Sequence, residues 1–213
     1  MVLMRCFLLL IVSSCFNLSS TNMTEHLSTK TTECTLNVTV EYISATHMNV
    51  QYEVHNHSRL PIYLFNKLYS EIGPGKVFDV DQNMVHIRSK GIKVTLSKAI
   101  VPVPGDLEVE YRYVPCMSKL LPNESFKELI NIPLPVSPYS AYTPWLLRDA
   151  PENKVLFFEL GYFAAVPQAE AMIREVATTK GEPVYRIDPF PLSSQKLLTV
   201  GPFRQSIGVF TVK

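Results

Sequence analysis

Thr35-Leu36-Asn37-Val38-Thr39-Val40-Glu41-Tyr42-Ile43 alternates without a break: Leu36, Val38, Val40 and Tyr42 fall on one side, Asn37, Thr39 and Glu41 on the other. Met48–Val54 (MNVQYEV) repeats the pattern with Met48, Val50, Tyr52 and Val54. Successive side chains of an extended chain point to opposite faces, so this period predicts two strands, each with one buried and one wet face. His55–Arg59 reads as the polar turn that follows, and Leu60–Phe65 (LPIYLF) as the next strand, with Pro61 at its entry.

Working outward, Val77–Val80 and Met84–Ile87 flank Asp81-Gln82-Asn83, which reads as a hairpin turn. Ile92–Leu96 and Leu107–Val114 (LEVEYRYV) alternate again, and Ser125–Leu134 is read as a strand from Ile130, Ile132 and Leu134. Val155–Phe163 (VLFFELGYF) is a continuous apolar run, the pattern of a central strand. The chain closes on strands at Val184–Ile187, Lys196–Val200 and Ile207–Val212, with Gly201-Pro202 turning between the last two. One helix is expected, at Pro167–Ala177: Pro167 suits a first turn, Ala169, Met172, Ile173 and Val176 form a stripe, Glu170 and Arg174 pair four apart, and Gly181 ends it.

Seven or more short strands at intervals of about 10 residues predict an antiparallel β-sandwich. The run from Tyr52 to Ile62, where a strand ends in a turn and the next begins with proline, resembles a pattern common in immunoglobulin-like domains. That resemblance implies an immunoglobulin-like β-sandwich over residues 34–134. The Cys…Trp…Cys order of antibody domains is missing, since Trp145, the one tryptophan, lies outside Cys34–Cys116. Residues 135–213 are then a Pro-rich loop and a β/α extension, carrying the one short helix and packed on the sandwich.

Ahead of the domain, Met1–Arg5 carries one positive charge, and Phe7–Cys15 (FLLLIVSSC) is a short apolar run ending in small residues. That layout reads as an export signal, residues 1–14, and is about half the length a membrane-spanning helix needs. Val12-Ser13-Ser14-Cys15 resembles the lipobox of bacterial lipoproteins. The resemblance implies lipidation of the Cys15 thiol, cleavage before it, and anchorage of the chain to a cell-envelope membrane. Ordinary signal-peptidase cleavage nearby, with release of a secreted protein, also fits these residues. Residues 15–33 are rich in Ser, Thr and Asn, lack apolar periodicity and read as a flexible tether.

The charges nearly balance, 20 Lys+Arg against 19 Asp+Glu, and no basic stripe points to nucleic acid. Sixteen prolines against eight glycines suit short strands joined by stiff turns. With Cys6 in the signal and Cys15 assigned, Cys34 and Cys116 remain. In an oxidising compartment the simplest expectation is a disulfide, worth about 4 kcal/mol for a loop of roughly 80 residues; two buried thiols are the alternative.

No catalytic motif stands out. His55 and His57, with His47 or His86, make no metal-ligand pattern and read as turn histidines. There is no G-x-S-x-G elbow and no H-E-x-x-H pair, and Gly73-Pro74-Gly75-Lys76 lacks the spacing of a phosphate loop. Neither a catalytic residue nor a cofactor or metal is therefore assigned. N-x-S/T triplets begin at Asn17, Asn22, Asn37, Asn56 and Asn123, which would be glycan acceptors in a eukaryotic secreted protein. Tyr139, Tyr142 and Trp145 gather about the Pro-rich loop 133–144 and are the candidate contacts for a protein partner. The expectation is a lipid-anchored binding or structural module of the cell envelope, with a membrane and a protein as its partners. The alternatives are a secreted inhibitor or ligand acting through loop 133–144, and a hydrolase assembled from residues that no motif reveals.

Overall fold

The computed structural model describes residues 23–142 and 148–212. The export signal, Cys15, Asn17, Asn22 and Trp145 lie outside them. The described chain is mainly β. In order come β1 (Met23–Lys30), β2 (Cys34–Ser44), β3 (His47–Asn56), β4 (Ile62–Lys67), β5 (Tyr69–Gly73), β6 (Val77–Val80), β7 (His86–Lys90) and β8 (Lys93–Lys98). β9 (Cys116–Leu120), β10 (Ser125–Pro133), β11 (Arg148–Ala164), α1 (Pro167–Glu170), β12 (Arg174–Val176), β13 (Val184–Arg186), β14 (Lys196–Val200) and β15 (Ser206–Val212) follow.

One sheet has four antiparallel strands in the order β1-β2-β3-β10. A second, nine-stranded sheet runs β12-β13-β9-β4-β11-β8-β7, with β14 and β15 also on β11. Its centre is the 17-residue β11, which pairs antiparallel with β4, β14 and β15 but parallel with β8. The second sheet is therefore mixed, not antiparallel throughout. It also draws β4, β8 and β9 from before residue 135 together with β11, β14 and β15 from after it. β5 and β6 form a separate pair.

Leu36, Val38, Val50, Tyr52 and Ile130 of the first sheet share a buried cluster with Leu64, Leu96, Phe158, Leu198 and Val209 of the second. Fully burying a side chain such as Leu64 or Phe158 gains about 1.5–3 kcal/mol, and this shared core joins the sheets. The opposite face of the nine-stranded sheet carries Phe65, Met117 and Phe163, covered by Ala165, Ile187 and Phe190. β4 thus has apolar residues buried on both faces, which is why it reads as an unbroken run.

Several further expectations are corrected. Residues 23–30, placed in the tether, form β1 and pair with β2 over eight positions, Met23 to Lys30. Glu25 fixes the strand by accepting from the Arg204 and Gln205 amides at 2.8 and 3.1 Å. Leu107–Val114 is not a strand. Leu107, Val109 and Tyr111 are exposed, because prolines at 102, 104 and 115 bracket the segment and β4 and β13 already occupy both edges of β9. Asp81–Asn83 turns, with Met84 donating to Asp81 O at 3.2 Å, but makes no hairpin: β6 pairs with β5, and β7 with β8.

The helix stops at Glu170, and residues 174–176 become β12 on β13. Ala177 and Thr179 exchange backbone hydrogen bonds with Phe78, so extended pairing outweighs the 3.6-residue stripe. Met172 is left exposed, and Glu170 reaches Lys119 at 2.7 Å. Gly181, at φ +72°, turns β12 into β13 instead of ending a helix.

Cys34 and Cys116 are free, buried in separate clusters, and no bridge joins them. Burial pushes the Cys34 thiol up, and pushes that of Cys116 to about 11 even with Arg186 opposing. Both thiols are expected to stay unreactive toward Ellman's reagent in native protein and to react on unfolding, and a reductant should leave the melting temperature unchanged. A reductant-sensitive melt would contradict this assignment.

Candidate functional site

The inward positions of β10 are Phe126, Glu128, Ile130 and Ile132, so a carboxylate enters the core in register with apolar neighbours. Three strands converge on it. Lys98, at the end of β8, is fully buried and lies 2.8 Å from Glu128 Oε2. It also donates to the Asn66 and Gln82 carbonyls at 3.0 and 2.8 Å. Tyr52 of β3 donates to Oε2 at 2.7 Å and accepts from Asn66 Nδ2 at 3.2 Å. Lys67, at the end of β4, binds Oε1 at 3.1 Å and stands 3.8 Å from Glu182.

Burial drives the Glu128 carboxyl up, but the Lys98 and Lys67 ammoniums and the hydrogen bonds to it prevail and hold it below its usual value. Burial also lowers the Lys98 pKa against the pull of Glu128, and raises that of Tyr52 well above normal. These groups tie strands of both sheets together through charge-assisted bonds.

Lys67 is the point where this network meets solvent. It lines an open cleft of about 440 Å³ together with Ser118, Lys119, Phe126, Glu182 and Tyr185, within the size range of small-molecule sites. Its Nζ stands 5.5 Å from the centre of the Phe126 ring. Lys119 Nζ lies 5.7 Å from the Tyr63 ring centre and is held by Glu170. The cleft thus presents two ammoniums against aromatic walls, with Glu182 a loosely held counter-ion whose side chain is 58% exposed.

Of the residues singled out in the sequence, Tyr139 and Tyr142 are half-buried and engaged within the fold. Tyr139 forms a backbone bridge with Ile87, and the Tyr142 hydroxyl accepts from the Tyr113 amide at 2.7 Å. His57 contacts the Thr31 carbonyl at 3.0 Å and His55 the Ser125 hydroxyl at 3.1 Å. Among the described residues no three or more His, Cys, Asp or Glu are placed to hold a metal, and no helix is long and apolar enough to cross a membrane.

Sequence reasoning missed the Lys98–Glu128–Lys67 group. Carrying the period-2 pattern back from Ile132 and Ile130 places Glu128 facing inward, and that was the available signal. No family model matches this chain, and neither a curated protein nor a solved structure does. Fold and site together define a mainly β protein with a polar, solvent-open cleft at one edge of its core, and the chemistry of that cleft carries the functional reading.

Proposed function

We propose that the chain is a lipid-anchored binding module of the cell envelope whose cleft at Lys67 holds a ligand bearing a carboxylate. The observation that carries this reading is the position of Lys67, between buried Glu128 at 3.1 Å and loosely held Glu182 at 3.8 Å. A ligand carboxylate exchanges for Glu182 without disturbing the buried pair, while Phe126 and Tyr185 supply apolar contact. An immunoglobulin-like arrangement of the sandwich belongs to the same proposal. The two sheets sharing one core support it, and the parallel β8–β11 pair distinguishes this version.

Two experiments test the proposal. Titration with a tetraglutamate peptide should shift the amide resonances of Lys67, Ser118 and Lys119, and Glu182→Gln should tighten binding severalfold by removing the internal competitor. Absence of shifts at those residues rejects the cleft reading. Metabolic palmitate labelling that persists unchanged in Cys15→Ala rejects the anchor.

A further inference from the structure

His86, the first residue of β7, is 1% exposed, yet neither Nδ1 nor Nε2 has a hydrogen-bond partner among the described residues. A neutral imidazole has one N–H to donate and one lone pair to fill, and native folds seldom leave both empty. The ring lies between two tyrosines, near-parallel to Tyr139 at 6.3 Å and edge-on to Tyr113 at 5.7 Å.

Both tyrosines belong to segments laid over this end of the sheet. Ile87 donates to Tyr139 O at 2.7 Å and Tyr139 to Ile87 O at 3.0 Å, so the Pro-rich segment pairs with the edge strand β7. The Tyr113 hydroxyl donates to Tyr69 O and accepts from the Tyr69 amide at 2.9 and 2.7 Å. His86 is therefore the uncharged packing element between the β7 edge and the segment that covers it.

In the docked form neither ring nitrogen has an acceptor within hydrogen-bond distance among the described residues. Arg88, on the same strand, adds a like charge. Across the sheet His86 faces Ser97 of β8 and then Glu159 of β11, but Glu159 Oε1 already accepts from Ser97 and Arg88. The covering segments offer the Tyr113 and Tyr139 hydroxyls. Burial, reinforced by Arg88, lowers the His86 pKa to about 4.

We propose that His86 is a proton-operated latch, whose protonation in mild acid releases the Tyr139 segment from the β7 edge. The released form binds its proton near the ordinary value of 6.5 and the docked form only near 4. Between those limits each unit of falling pH favours release by about tenfold. This inference is independent of the carboxylate cleft, which lies elsewhere on the molecule.

Residue-resolved amide exchange, corrected for intrinsic rates, tests it. Protection at Ile87 and Tyr139 should fall roughly 40-fold between pH 6.5 and 4.5, while Val40 and Val50 keep theirs. His86→Phe, uncharged at every pH, should remove that dependence. No local loss in wild type, an equal loss at Val40 and Val50, or the same loss in His86→Phe overturns the proposal. Should the variant not fold, the wild-type ring resonance decides. The His86 titration must track the loss at Ile87, and titration without that loss overturns the latch.

Discussion

Glu128→Ala should lose about 3–5 kcal/mol of unfolding free energy in urea titrations, because it strands the fully buried Lys98 ammonium without its counter-ion. Surface ion pairs are worth little, but here Glu128 is 5% exposed and Lys98 0% at the side chain, so solvent cannot substitute for the lost partner. Adding Lys98→Met to Glu128→Leu should recover most of the loss, since an apolar pair of similar size removes the desolvated charge. If the double variant is no more stable than Glu128→Ala, the stranded charge is not the cause. Acid should reproduce part of the effect. The Glu128 carboxyl titrates below its unfolded value of 4.5, so its contribution is complete above that value and is lost as pH falls through the folded pKa.

The second large effect falls on Asn56, one of the five N-x-S/T asparagines. It is fully buried; its amide donates to the Leu60 and Leu120 carbonyls at 2.9 and 3.1 Å. Its side-chain oxygen accepts from the Ser58 amide and hydroxyl at 3.0 and 2.8 Å. Asn56→Ala should cost about 3 kcal/mol, as each buried group left unpaired costs roughly 1–3 kcal/mol. Asn37 sits on the wet face of β2, and Asn37→Gln should stay within about 0.5 kcal/mol. Equal losses at the two positions would contradict this division. A glycan on Asn56 is incompatible with the native fold, whereas Asn37 and Asn123 are open to solvent.

Legibility followed burial. β2 and β3 were readable because one face of each meets the core and the other meets water, and that contrast is written as period 2. β11 was readable as a central strand from its continuous apolar run. β1 was not, because an edge strand held by backbone pairing and by Glu25 needs little apolar content. The stripe of Ala169, Ile173 and Val176 does face the core, yet the chain reaches it through a single helical turn and then a strand. Periodicity records which residues are buried, and several backbones can bury the same ones.

The candidate site was still less legible. Lys98, Glu128 and Lys67 come from three separate strands, and a lysine at a strand end carries no sign of burial. The cysteines teach the same lesson. Their count and the expected oxidising compartment suggested a bond, while their distance apart in space is set by the strands that carry them.

By itself the sequence determined the β character, the inward faces of β2, β3 and β10, and the central place of β11, since local alternation and apolar content dictate these. The tertiary structure alone decided which strands pair, that β8 joins β11 in parallel, that both thiols stay free, and that one carboxylate and two lysines meet at the edge of the core. Those outcomes depend on contacts between residues far apart in the chain, whose energies no local window of sequence contains.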